Sequence, residues 1–500
     1  MEQMQQPPTR MFPIGKQELI FGGILLAVCL LLVNCILFGG LNLGFAIGYI
    51  LCILCSSLYF LSYGTKPTGY SITLLVMSIF IAASFARSDD TPVKFIMACF
   101  LFASTNLGLC LLAGKTRHDW GSISSLRDAF FTFFNLGFGE LPTSCRSIRS
   151  AFRHSGSVGQ KGGAILLGLG IAAPVLLVIV PLLVQADAAF EGILRHFPEL
   201  SVGEMIMTAL FGFCTAFVLF TRNTALRHTP VSQIMPKDSK GMSPLTVNTV
   251  LIAICFVYCV YLVSQLAYFT GGFAGALPEN YTLAQFARRG FFEMAWLCAI
   301  NLSIIVFSLW LCKKEARAPL FTRLLCLFIG IVTLFLVAAA SAKMILYIGS
   351  YGLTRLRVLT QVVMVFLGIT TALVCIWLFV PKLPYMKVVL TAALVIGAAV
   401  SWADVDTVVA HYNVSSYLAG NAETVDVYYL NSLGNGAVFY IDRLTREAPD
   451  ESVAEAARWC MENRWVASPE DFRSWNYVNQ LASKILGDPP QSDADIQYYT

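Results

Sequence analysis

The sequence predicts an all-α protein, a polytopic bundle of about eleven transmembrane helices (ten to twelve) carrying a small helical soluble domain at its C-terminal end. Three observations carry that reading. Of 500 residues, 57% are apolar and 13% charged, with a mean hydropathy of +0.68. Soluble domains hold roughly 25% charge. The apolar residues gather in runs of about 16 to 23, and a run of about 20 spans a bilayer. Composition then changes after Trp402, where acidic and mixed-polarity sequence begins.

In chain order, a cytoplasmic tail over residues 1–18 precedes spans at Leu19–Phe38, Leu43–Leu61, Ser71–Ala86, Phe95–Ala113, Gly163–Val184, Met205–Phe220, Val247–Phe269, Phe291–Cys312, Leu324–Ala340, Val358–Val380 and Val388–Trp402. Each must be helical, because lipid offers no partner for backbone N–H and C=O groups. The first run is longer than a signal-peptide core and has no clear cleavage site after it, so it reads as a retained span. Residues 19–245 form an N-terminal transmembrane region and 246–402 a C-terminal one. A soluble acidic domain occupies 403–488, and a disordered tail 489–500.

Lys and Arg placement orients the chain. With the N-terminus in the cytoplasm, about nineteen fall on the cytoplasmic side and about eight in the outer loops. An odd number of spans then places the C-terminal domain outside the membrane. Residues 124–139 carry Phe130, Phe131, Phe133, Phe134 and Phe138 beside Arg127 and Asp128, the pattern of an interfacial helix with rings at headgroup depth. Arg146, Arg149, Arg153 and Lys161 follow, a basic cluster that suits anionic lipid on the cytoplasmic face, or plain positive-inside topology. Met344 to Arg357 is a Gly- and Tyr-containing connection into the tenth span.

The tail from Ala403 holds fifteen acidic residues against six basic ones. Helical patterning marks Val405–Leu418 and Ser452–Asn463. Ser468-Pro469 before Phe472 reads as an N-cap with Pro at the first helical position. The acidic domain is a surface for a protein partner.

Two groups of residues stand out as candidate sites. At the outer interface, Glu279, Arg288, Arg289 and Glu293 lie in LPENYTLAQFARRGFFE, where Thr282 and Gln285 have capping-box spacing and Arg289 and Glu293 are four apart. Ionisable groups at membrane depth are candidates for function, with a helix anchor as the plain alternative. Within the spans, Asn34, Asn106, Gln265, Asn301 and Gln361 are suited to interhelical hydrogen bonds. Deep charge is otherwise nearly absent from the spans. Gly44 and Gly48 make a GxxxG that permits close helix packing.

Enzyme signatures fail: no HExxH, GxSxG or Walker A occurs. No catalytic, cofactor-binding or metal-ligating set is assigned. The fifteen cysteines lie almost wholly in apolar runs, where they pack as small polarisable side chains. Cys52 and Cys55 form a CxxC in mid-span without further ligands. No feature calls for nucleic acid.

The stretch from Tyr261 to Ile304, with its LPENYTLAQFARRGFFE core, resembles a bacterial membrane family, the domain-of-unknown-function group numbered 4173. So do Tyr351-Gly352-Leu353-Thr354-Arg355-Leu356-Arg357, His411-Tyr412-Asn413-Val414-Ser415-Ser416-Tyr417-Leu418, Val425-Asp426 and Tyr429-Leu430. The likeness covers about the C-terminal half, Thr246 to Arg443. It implies a multi-pass protein of a bacterial inner or plasma membrane and no particular activity. The leading expectation is a non-enzymatic role in envelope signalling, regulation or assembly. The alternatives are a transporter or exporter of a small solute or lipid, and a membrane-embedded transferase using Glu279 and Glu293.

Overall fold

In a computed structural model, the described residues are 11–115, 130, 132–154, 202–229, 242–273, 291–312, 318–466 and 471–487. They are helical, with no strand among them. The helices are α1 (Lys16–Gly39), α2 (Leu43–Leu61), α3 (Gly69–Ser84), α4 (Thr91–Leu112), α5 (Leu141–His154), α6 (Val202–His228), α7 (Pro244–Phe273), α8 (Phe291–Leu311), α9 (Leu320–Tyr351), α10 (Arg355–Trp377), α11 (Tyr385–Ala403), α12 (Val405–Leu418), α13 (Val427–Asn431), α14 (Val438–Glu447), α15 (Glu451–Glu462) and α16 (Tyr477–Leu486). Among the described residues nine helices are long and apolar enough to cross a membrane. The expected third span is the sixteen-residue α3, and the expected fifth, at 163–184, lies outside the described residues.

The chain divides into two compact units. The first holds 1–117, 126–236 and 465–500, and the second 118–125 and 237–464.

In the first unit α1 packs against α2 and α6, and α3 against α4. Sequence sets the starts of these helices. Thr68 accepts from the Ser71 N–H at the head of α3, and Asp90 from the Val93 N–H ahead of α4, with Pro92 in its first turn. The GxxxG of α2 lets α1 approach: a Cβ on Gly48 would stand 2.9 Å from the Leu32 Cα, and one on Gly44 2.7 Å from the Cys35 Sγ. Backbone cannot yield as a side-chain tip can. Gly48→Val is therefore expected to destabilise the protein by about 1–3 kcal/mol, read from thermal unfolding in detergent. An unchanged unfolding temperature would show that α1 and α2 are not in this register.

The last described stretch straps the end of this unit away from Lys16. The Leu43 N–H donates to the Trp475 carbonyl at 3.1 Å, and the Tyr477 N–H to the Ala86 carbonyl at 2.9 Å. Asn476, wholly buried, caps α16 and donates to the Ser88 carbonyl. Arg473 lies over Gly39 and Gly44, pairs with Asp471, and reaches Glu204 at 3.7 Å. Burial pushes the Asp471 carboxyl up, but the Arg473 hydrogen bonds outweigh it and hold the group below its usual value. The helix start expected at Ser468 lies outside the described residues, which omit 467–470. Asp471 accepts from the Arg473 and Ser474 N–H groups in a turn, so the helix begins only at Tyr477.

In the second unit α9 packs on α7, α8 and α10, and α10 on α11. Its core joins Leu251, Ile305, Cys326, Ile329 and Val374, with a second cluster around Cys298, Leu336 and Met364. Large apolar side chains on the far faces are exposed, such as Val257, Val263, Trp296 and Phe307. This is the surface of a bilayer-facing helix, since lipid tails need no burial. Helix α9 has 32 residues, about 48 Å at 1.5 Å per residue, against about 30 Å of hydrocarbon. The expected connection from Met344 is thus mostly helix, and the true loop is only Gly352 to Thr354.

Candidate functional site: a clasp around the α9–α10 turn

The turn after α9 needs Gly352, whose φ of 71° suits glycine. A Cβ there would stand 2.8 Å from the Asn413 Oδ1. Thr354 caps α10 by accepting from the Arg357 N–H. At the other side of the site, α11 ends and α12 begins across one residue, Asp404, held at φ 53°. Aspartate tolerates this left-handed region better than most residues. The break turns the chain so that α12 presents Asp406 and Asn413 to the α9–α10 turn.

The contacts are dense. Arg355 Nε donates to Asp406 Oδ1 at 2.7 Å, and its Nη2 to Asp406 Oδ2, a two-pronged pair. The Gly434 N–H donates to the same Oδ2 at 2.7 Å. Asn413 pairs with Leu353 as one backbone pairs with another, accepting from its N–H at 2.7 Å and donating to its carbonyl at 2.8 Å. The Arg355 N–H donates to the Tyr429 hydroxyl at 3.0 Å. Burial pushes the Tyr429 phenol above its ordinary range, so it stays a neutral hydroxyl at any physiological pH. Arg357 Nη1 holds the Tyr351 and Gly352 carbonyls, and its guanidinium stacks 4.1 Å from the Tyr347 ring centre. Arg464 closes the lower edge through Asn431, Leu433 and Asn435.

Asp406 is wholly buried and saturated by charged and backbone donors. Such an arrangement is suited to holding α9, α10, α12 and α13 in one geometry. Three of the segments that carried the resemblance, around Gly352, Asn413 and Tyr429, meet here.

The other expected site residues are dispersed. Glu279, Arg288 and Arg289 lie outside the described residues, and Glu293 is exposed in the first turn of α8. Among the polar residues within spans, Asn34, Asn106 and Asn301 make hydrogen bonds between helices. Asn34 donates to Thr208 at 3.1 Å and accepts from Arg473. Asn301 accepts from the Tyr258 hydroxyl at 2.6 Å and donates to Thr333 at 3.0 Å. The Gln361 Oε1 is buried without a partner. The Gln265 side chain lies outside the described set.

Sequence reading missed one intramembrane charge. Arg222 was expected in a cytoplasmic loop, but α6 runs eight residues past Phe220 and carries it into the bundle at 2% exposure. The signal was present, since neither Gly nor Pro interrupts the run until Pro230. Among the described residues the partners of Arg222 are neutral: Asn106 through its carbonyl (3.2 Å) and Oδ1, Asn223 at 3.0 Å, and Cys110 Sγ at 3.6 Å. Asn223 in turn donates to Ser56. The Arg222 Nε is buried and unpaired. Nearer the end of the unit, Glu18 is buried and accepts from the Gly15 N–H and the Tyr63 hydroxyl, with His228 Nε2 at 3.6 Å. Among the described residues no three His, Cys, Asp or Glu side chains gather as a metal site.

A family model described as a domain of unknown function (DUF4153) matches residues 70–444, more than half of the chain. The resemblance noted above carried a different family number and a shorter extent; the match begins in α3 and includes parts of both units. No curated protein and no solved structure matches the chain.

Proposed function

The chain belongs to the DUF4153 family, and from that premise we propose that it is a non-enzymatic protein of a bacterial inner or plasma membrane, serving envelope regulation or assembly. The observation that carries this reading is the clasp. Separated motif segments within the family match converge on a buried, fully hydrogen-bonded joint with no free acid, base or nucleophile. Through it, the position of α9 and α10 and that of the helices after Asp404 are coupled. The C-terminal helices, acidic in sum, are the part that meets a protein partner. The N-terminus lies in the cytoplasm and the C-terminal helices outside. Supporting this, the 471–487 strap binds the end of its unit opposite Lys16.

The test is complementation of a deletion strain with Arg355→Met/Asp406→Leu. This apolar pair replaces the ion pair at similar volume, which often preserves stability. The expected result is a protein of normal abundance that fails to restore the envelope phenotype. Full restoration would sink the coupling role.

Buried Arg222 favours a second reading, an exporter of an anionic solute or lipid. An uncompensated cation in a span is costly and commonly marks a route. It predicts flux in proteoliposomes that falls at least tenfold in Arg222→Gln. No flux across a panel of anions and anionic lipids would exclude it.

A further inference from the structure

Residues 130–151 form an element with two contrasting parts. Its aromatic part is a ladder of phenyl rings: Phe130 lies 4.6 Å from Phe134 and Phe134 6.2 Å from Phe138, centre to centre, and all three are exposed. Phe133 packs edge-on against Phe102 at 4.6 Å. Phe102 sits at the middle of α4, where it faces outward from the bundle. The ladder therefore continues the lipid-facing surface of a span, at acyl-chain depth. A π-helical turn, Asn135–Gly139, seats it: Leu136 is buried, and Gly137 lies against Val218 and Arg222 of α6.

The basic part is α5. Its docked face is made of hydroxyls, Thr143, Ser144 and Ser147, all buried. Ser147 accepts from the Phe12 N–H at 2.7 Å, which fixes α5 beside the entry to α1, at a membrane boundary. The opposite face exposes Arg146 and Arg149, three apart and so neighbours on one helix surface. Among the described residues neither meets a carboxylate, and Arg146 donates to the Pro142 carbonyl at 3.2 Å. Two like charges side by side are unfavourable until an anion joins them.

Apolar rings at acyl depth and paired guanidiniums at the boundary match one ligand class in two places at once. We infer that this element is a binding site for an anionic phospholipid, with the acyl chains along Phe130, Phe134 and Phe138 and the headgroup phosphate between Arg146 and Arg149. Guanidinium pairs phosphate oxygens through parallel N–H bonds. The inference goes beyond the regulatory reading and does not depend on it, since the clasp lies in the other unit.

The experiment uses the full-length protein in nanodiscs of phosphatidylcholine with phosphatidylglycerol as a minor component. Native mass spectrometry after release reads the retained lipid. Wild type is expected to retain phosphatidylglycerol over phosphatidylcholine, and Arg146→Gln/Arg149→Gln to lower that preference at least fivefold. Both arginines are exposed, so the variant should fold, and an unchanged elution profile checks this. Phe134→Trp supplies a second readout: chain-brominated lipid should quench its fluorescence, and aqueous iodide should not. Equal preference in the double variant would overturn the site. So would an iodide-accessible Trp at position 134. Stabilisation of wild type in pure phosphatidylcholine by inorganic phosphate, lost in the double variant, would make it a soluble-anion site and overturn the lipid assignment.

Discussion

Asp406→Ala is expected to cost about 3 kcal/mol of stability. Removing one partner of a buried ion pair costs roughly 3–5 kcal/mol, because the remaining charge is stranded. The lower end applies here, since the Arg355 side chain keeps 27% exposure and can regain some water. The Gly434 N–H also loses its acceptor. Damage should concentrate around the clasp: amides of α12 and α13 and of the Gly352 turn should exchange faster, while those of α1 and α2 hold. Asp406→Asn should fall between, because it retains an acceptor for Gly434 but loses the charge. Hydrogen exchange and thermal unfolding in detergent measure both effects. A change under 0.5 kcal/mol in Asp406→Ala would mean the pair is not formed, and the coupling proposal would go with it.

Asn106→Leu is expected to cost about as much, for a different reason. Among the described residues Arg222 meets no counter-ion; neutral acceptors hold its charge, and Asn106 supplies two of them, its carbonyl and its Oδ1. Leucine leaves a buried guanidinium with a carbonyl, Asn223 and a sulfur. About 3 kcal/mol is again the expected loss. Arg222→Met in the same protein should recover most of it, because no buried charge then remains to be satisfied. The double-mutant cycle would give a coupling of about 2 kcal/mol, above the few tenths expected of independent sites. Additive effects would show that Arg222 reaches water or an ion and does not depend on Asn106.

Much of the fold was readable from sequence for one physical reason. In lipid, an apolar run near twenty residues long has to be a helix, so length and composition alone place α1, α2, α4, α8, α10 and α11. Val405–Leu418 was readable because its polar and apolar residues alternate at helical spacing. The ends of α6 and α9 were misjudged because hydropathy falls before the helix does: Arg222 and Lys343 look like loop residues, yet α6 continues to His228 and α9 runs through Gly349 to Tyr351. Phe472 and Trp475, expected to follow a helix start at Ser468, stand ahead of α16, because Asp471 offers the backbone a turn that competes with a helix.

The candidate site was legible only in pieces. Sequence marked YGLTRLR, HYNV and the Tyr429 segment as distinctive, but periodicity says nothing about which distant segments touch. Pairing Arg355 with Asp406, or Asn413 with Leu353, depends on how Asp404 redirects the chain between α11 and α12. The sequence alone thus determined solvent, helix content and the order of the spans, because these follow from local hydropathy and backbone satisfaction. Only the tertiary structure decided which charges are buried and with whom. Partnering is set by helix packing and by a one-residue break in left-handed geometry, and neither leaves a local signature.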